Sequence, residues 1–194
     1  MIDKNRAVFI DRDGVVNALV YNGSTGDYES PHTPNDFHVI PGALQGLVLL
    51  QKSGFLLFLV SNQPSYAKGK TSLASLHAVH EALVEKVTRA GVKFTEYYYC
   101  YHHPDGIVSD YAVVCNCRKP AAGFLLEARD RYEVDLLHSW MIGDQDNDVL
   151  CGQAAGCRTV LLQHELSANK RGSSRPNLVA RDLQEAALLI GSTI

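Results

Sequence analysis

Six consecutive apolar residues, Phe55-Leu56-Leu57-Phe58-Leu59-Val60, run straight into Ser61-Asn62-Gln63-Pro64. An amphipathic helix or a half-exposed strand would interrupt such a run with polar residues. Unbroken apolarity over this length fits a parallel strand covered on both faces. The pattern recurs twice. Ala7-Val8-Phe9-Ile10 ends in Asp11-Arg12-Asp13-Gly14, and Trp140-Met141-Ile142 ends in Gly143-Asp144. Parallel strands place such polar ends on one side of a sheet, where open α/β folds bind their ligands.

Helical patterns separate the runs. Pro41-Gly42 opens a helix over Ala43 to Lys52, with Leu44, Leu47, Val48 and Leu50 apolar and Gly54 as its stop. Ser72 to Ala90 carries Leu73, Leu76, Val79, Leu83 and Val87 on one face. Further helices are expected over Ala122 to Tyr132, Asn147 to Ala155 and Asp182 to Ile190, and further strands over Phe94 to Tyr99 and Arg158 to Leu162. This alternation predicts an α/β fold, a doubly wound parallel sheet with right-handed crossovers. At 194 residues the chain suits one domain, 1–194. Tyr21 to His38 holds Gly23, Gly26, Pro31 and Pro34 and reads as a loop arching over the site. It is the only cap-like cover expected, since no insert is large enough for a separate cap domain. Gln163 to Pro176 is polar and expected to be mobile. A formal net charge of −3 without long runs of like charge argues against nucleic acid or an anionic membrane as partner. Met1 to Arg6 lacks the apolar core of a signal peptide, and no apolar run spans a bilayer, so a cytoplasmic protein is expected. Five cysteines in that compartment do not imply a disulfide framework.

The strand ends carry chemistry. Asp11 and Asp13 form a carboxylate pair able to bind Mg²⁺ and to do covalent and acid–base work. Ser61 and Asn62, then Asp144 with Asp148, bring further polar groups to the same edge, and Arg118-Lys119 enters from a loop. Phosphoryl transfer needs such a set: a nucleophile, a metal, a hydroxyl or amide donor, and a cation. Each part alone also reads as a turn, a helix cap or a solvated surface pair. A second group, Cys100-Tyr101-His102 and Cys115-Asn116-Cys117, offers three thiolates and one imidazole within a loop over 100–117, the donor set of a closed structural zinc site. The gaps of one residue, rather than two, leave open that the cysteines are small buried apolar residues. His77 and His80, spaced i, i+3, read as solvated surface, and Cys151 and Cys157 as buried small residues.

Taken together, Asp11-Arg12-Asp13-Gly14, Ser61-Asn62-Gln63, Arg118-Lys119-Pro120 and Gly143-Asp144 with Asp148 resemble the haloacid dehalogenase (HAD) superfamily of phosphatases. The Cys-Asn-Cys-Arg-Lys-Pro run narrows the resemblance to the heptose bisphosphate and histidinol-phosphate phosphatases, over about positions 7 to 160. The resemblance implies that Asp11 is the nucleophile, forming an aspartyl phosphate, and that Asp13 is the general acid and base. It implies that Asp11, the backbone carbonyl of Asp13, and Asp144 hold Mg²⁺. Ser61 and Lys119 would bind the phosphoryl oxygens, with Arg118 and Asn62 helping to hold the substrate. Cys100, His102, Cys115 and Cys117 would hold Zn²⁺, with His102 rather than His103 as the ligand. The implied activity is Mg²⁺-dependent phosphomonoester hydrolysis of a small sugar phosphate, most specifically a heptose 1,7-bisphosphate at C7, by a monomer. Histidinol phosphate is the rival substrate; a phosphoacceptor or a zinc-stabilised interaction module is the rival without turnover. The chain departs from the heptose phosphatase pattern at Pro64-Ser65-Tyr66, where Ser-Gly and small apolar residues are usual, and at Gln145. Lys119 is expected to serve turnover with little part in stability.

Overall fold

The computed structural model describes residues 5–172 and 174–193. The signal-peptide reading rests largely on residues 1–4, outside that range. In chain order the elements are β1 (Ala7–Ile10), β2 (Val20–Asn22), β3 (Asp27–Glu29), α1 (Ala43–Lys52), β4 (Leu56–Asn62), α2 (Leu73–Arg89), β5 (Glu96–Cys100), α3 (Gly123–Tyr132), β6 (Trp140–Gly143), α4 (Asp146–Ala155), β7 (Arg158–Leu162), β8 (Leu178–Ala180) and α5 (Leu183–Gly191). Six strands form one sheet in the order β5-β4-β1-β6-β7-β8, and every pairing is parallel.

The continuous apolar strands are buried on both faces, as their composition requires. Val8, Ile10, Leu57, Leu59 and Ile142 face a core closed by Leu47 and Leu50 of α1, Leu83 and Val87 of α2 and Leu183 and Ile190 of α5. Their alternates Ala7, Phe9, Phe58, Val60 and Met141 face Leu125 and Ala128 of α3 and Cys151 of α4. Ser72 and Asp182 cap α2 and α5 by accepting from Ser75 N and Glu185 N. No helix of the described residues is long and apolar enough to cross a membrane.

Two expectations are corrected. Tyr21 to His38 is not wholly loop: β2 and β3 form an antiparallel hairpin with Tyr21 opposite Tyr28, their rings 5.4 Å apart. Strands of three residues carry no readable period, so glycine and proline dominated the signal. β8 escaped for the same reason. Within the segment expected to be mobile, Glu165–Lys170 is a 3-10 helix, Arg171 Nη1 donates to Leu162 O at 3.0 Å, and Gly172 N donates to Asp146 Oδ2 at 2.9 Å. His77 is exposed as expected, but His80 is half-buried, its Nδ1 2.9 Å from the Tyr99 hydroxyl.

Candidate active site

The parallel register lines up the C-terminal ends of β1, β4 and β6, and the acids sit there. Asp11 N donates to Ile142 O at 2.9 Å, tying the end of β1 to β6. The chain then turns back: Gly14 N donates to Asn17 O at 2.8 Å, and Gly14 has φ +82°. A Cβ at Gly14 would lie 2.3 Å from Asp144 Oδ2, so only glycine lets these strand ends meet. Gly143 is equally confined, its Cβ position falling 2.1 Å from Asp148 Cγ.

Asp11, Asp144 and Asp148 each bring one carboxylate oxygen within 4.8 Å of the others. Lys119 is buried among them. Its Nζ lies 2.8 Å from Asp11 Oδ1 and 2.6 Å from Asp148 Oδ1 and donates to Val60 O at 2.8 Å. The remaining oxygen of Asp148 accepts from Gln145 N at 3.1 Å, capping α4. Neither oxygen of Asp144 has a hydrogen-bond partner, although the residue is fully buried. Such a carboxylate requires a proton or a cation.

The electrostatics say the same. Burial pushes the Asp11 carboxyl up to about 7; Lys119 opposes this, and Asp148 and Asp13 add to it. Burial, then Asp11 and Asp148, drive Asp144 well above the carboxylate range. Burial works against the Lys119 ammonium, but Asp11 and Asp148 outweigh it and hold the lysine charged. Four buried carboxylates (Asp11, Asp13, Asp144, Asp148) face two buried cations, Arg12 and Lys119. The deficit of two positive charges, with an all-oxygen donor set, suits one hard divalent cation.

Asp13 stands apart from Lys119. Its Oδ1 accepts from Arg12 and Asn17, and its Oδ2 from Gln63. Ser61 Oγ is buried 3.5 Å from Asp13 Oδ2. Asn62 uses its amide on the loop backbone: Lys119 N donates to Asn62 Oδ1 at 3.1 Å, and Asn62 Nδ2 donates to Lys119 O at 3.0 Å. Arg12 and Gln63 carried no role from sequence. The available signal was a cation lodged between two acids, with an amide one position beyond Asn62.

Above the acids lies a pocket of about 310 Å³, walled by Tyr28, Glu29, Ser65, Lys68, Arg118 and Lys170 among others. The β2–β3 hairpin forms one wall, as the arching segment was expected to. It is tethered on both sides: Lys170 Nζ donates to Tyr28 O at 3.2 Å, Lys70 pairs with Glu29, and His32 Nε2 lies 2.9 Å from Ser65 Oγ. Among the described residues, Lys68 and Arg118 form no ion pair, so both cations are available to an anion in the pocket.

The four predicted zinc ligands converge. Cys117 Sγ lies 3.2 Å from Cys115 Sγ, 3.3 Å from Cys100 Sγ and 3.5 Å from His102 Nδ1; Cys100 Sγ lies 3.6 Å from Cys115 Sγ and 3.7 Å from His102 Nδ1. A tetrahedral ion with ligands at about 2.3 Å needs edges of about 3.7 Å, so the set fits closed four-coordination. His103 is outside it, its Nδ1 accepting from Asp105 N at 3.1 Å.

Comparison with known proteins places this geometry. Residues 116–186 match the HAD-hydrolase-like family. The chain is 37% identical over 156 residues to the D-glycero-β-D-manno-heptose-1,7-bisphosphate 7-phosphatase of Vibrio cholerae, covering 80% of each chain. The protein of that name from Escherichia coli K12 is 36% identical over 156 residues, 80% of this chain and 78% of that one. A crystal structure of D,D-heptose 1,7-bisphosphate phosphatase from B. bronchiseptica, complexed with magnesium and phosphate, superposes with a TM-score of 0.81 at 27% identity, covering 97% of this chain and 99% of that one. Strand-end acids, buried lysine and similarity along most of the chain agree: this protein belongs to the D-glycero-β-D-manno-heptose-1,7-bisphosphate 7-phosphatase family of HAD-type phosphatases.

Proposed function

We propose that this chain removes the C7 phosphate from D-glycero-D-manno-heptose 1,7-bisphosphate, with Mg²⁺ at Asp11, the Asp13 carbonyl and Asp144, and with Zn²⁺ held by Cys100, His102, Cys115 and Cys117. The carrying observation is the placement of Lys119, within hydrogen-bond reach of Asp11 and apart from Asp13. A carboxylate oxygen of Asp11 attacks phosphorus as the P–O bond to the sugar breaks. Asp13 gives its proton to the departing alkoxide, then takes one from the water that attacks the aspartyl phosphate and frees Asp11 and inorganic phosphate. Mg²⁺ supplies neutralisation of phosphoryl charge. Lys119 and Ser61 hold the phosphoryl oxygens. Arg118 and Lys68, both without carboxylate partners among the described residues, suit the second phosphate of a bisphosphate. Asp13 also separates this reading from a phosphoacceptor, which has no use for an acid–base group. One chain supplies every group named, consistent with a monomer working in the cytoplasm.

The test is phosphate release from both anomers of heptose 1,7-bisphosphate, from histidinol phosphate and from other sugar phosphates. The β-anomer should give the highest kcat/KM and lose one phosphate per molecule. A preference for histidinol phosphate would overturn the substrate, and a long-lived phosphoprotein without turnover would favour the phosphoacceptor. Metal analysis should find about one zinc per chain.

The acids also predict how stability follows pH. In the metal-free protein the raised Asp11 carboxyl keeps a proton that the unfolded chain loses near its ordinary value of 3.8. That contribution is fully present below about pH 4 and is lost as pH rises through about 7. Added Mg²⁺ should therefore raise Tm more at about pH 8 than at about pH 5.5, where protons compete for the same carboxylate. Equal gains at both would contradict metal binding at Asp11.

A further inference from the structure

Asp13 is held on both oxygens. Oδ1 accepts from Arg12 Nε at 3.1 Å, Arg12 Nη2 at 3.0 Å and Asn17 Nδ2 at 3.0 Å. Oδ2 accepts from Gln63 Nε2 at 2.6 Å. Arg12 is 1% exposed and Gln63 and Asn17 are fully buried, and none of the three lines the pocket. These groups lie behind Asp13 rather than in the pocket wall.

The amides are arranged for this contact at a cost. Gln63 Oε1 and Asn17 Oδ1 are buried without hydrogen-bond partners. Turning Gln63 over would set its Oε1 2.6 Å from Asp13 Oδ2, two acceptors in contact whenever Asp13 is ionised. Gln63 is itself fixed, its backbone N donating to Cys100 O at 2.7 Å and its Nε2 also to Ser61 Oγ at 2.9 Å.

A reason follows from the charges. Asp13 is two residues from Asp11, the acid that Lys119 contacts and that shares a cluster fit for a divalent cation with Asp144 and Asp148. An untethered carboxylate there would be drawn onto that positive charge and away from the leaving group. Arg12 gives Asp13 a cation of its own, with two guanidinium N–H groups converging on Oδ1, a planar arrangement that a lysine could not reproduce. We propose that Arg12 and Gln63 are positioning residues for Asp13, holding its carboxylate clear of Lys119 and the metal so that it meets the departing oxygen. This rests on the phosphatase reading and on the acid–base role of Asp13.

The test separates proton delivery from attack on phosphorus. A sugar alkoxide must be protonated as it leaves; a nitrophenolate leaves without help. Single-turnover cleavage of heptose 1,7-bisphosphate and of p-nitrophenyl phosphate should be measured for wild type, Gln63→Leu, Arg12→Lys and Asp13→Asn, with Tm followed throughout. Misplacing Asp13 by about 1 Å should cost Gln63→Leu on the order of 10²-fold on the sugar phosphate. Its loss on the aryl phosphate should be at least about ten-fold smaller, with KM little changed and Arg12→Lys falling between. Equal losses on both substrates, or none, would overturn the proposal by making the residues structural or idle. If Gln63→Leu does not fold, Gln63→Met carries the same comparison. A wild type that cleaves neither ester would sink the phosphatase reading. An Asp13→Asn variant blind to the leaving group would sink the role of Asp13. A leaving-group effect in Asp13→Asn alone would sink only the present inference.

Discussion

Asp11→Asn should reduce phosphate release to the uncatalysed background while the protein stays folded. An amide of the same shape can keep contact with Lys119 but is no nucleophile, so no aspartyl phosphate forms. The structure also says why the fold should tolerate it. Burial opposes the charge on Asp11, and neutralising that charge relieves the crowd of Asp144 and Asp148. Metal-free Asp11→Asn should therefore melt no lower than wild type at about pH 8, where the wild-type acid is forced to ionise. Asp13→Asn should keep Mg²⁺ binding, for which the backbone carbonyl is the proposed ligand, and lose about 10²–10⁴-fold in kcat. Phosphate release, a phosphoprotein assay and a melting curve check both variants. An Asp13→Asn enzyme near the wild-type rate would refute the mechanism.

The second large effect joins the zinc ligands to the lysine. Cys117 stands next to Arg118 and Lys119, and the loop from 101 to 122 has only short helical turns of its own. Cys115→Ser or Cys117→Ser should release the metal, lower Tm, and lower kcat on the order of 10²-fold by letting Lys119 drift. One counterforce emerges from the structure: Asn62 clamps the Lys119 backbone from both sides. The double change Cys117→Ser with Asn62→Ala should thus cost more than the product of the single changes, since each anchor partly covers for the other. A zinc-free variant with wild-type kcat below its melting point would show that Asn62 suffices and would end the idea of coupling. Lys119→Ala should lower kcat about 10²–10³-fold. The expectation that it spares stability does not survive the geometry. Lys119 is buried between Asp11 and Asp148, and its loss strands two carboxylates, so Tm should fall in the absence of Mg²⁺.

Much of this was legible in the residues because it depends on local order. A strand covered on both faces must be continuously apolar, and Ala7–Ile10, Leu57–Val60 and Trp140–Ile142 are. A turn that lets two strand ends touch needs glycine, and Gly14 and Gly143 are there. A closed metal site needs four donors, and Cys100, His102, Cys115 and Cys117 stand in two tight groups. Parallel strands then bring Asp11, Ser61 and Asp144 to one edge without further information. The hairpin at Tyr21 and Tyr28 was not legible, since three-residue strands acquire their pairing from Lys70, Lys170 and Ser65, which are remote in sequence.

Which partners each acid has was decided only in three dimensions. Asp11 and Asp13 are the same residue type two positions apart, and the resemblance to a family, not their local sequence, assigned them different roles. The tertiary structure separates them physically. Asp11 faces Lys119, delivered across 108 residues of chain, with Asp144 and Asp148 behind it. Asp13 faces Arg12, Asn17 and Gln63. A carboxylate's behaviour is set by burial and by charges within a few ångströms. The sequence by itself determined the strands, the turns and the ligand types; which charge lies beside which acid follows only from how the strands pack.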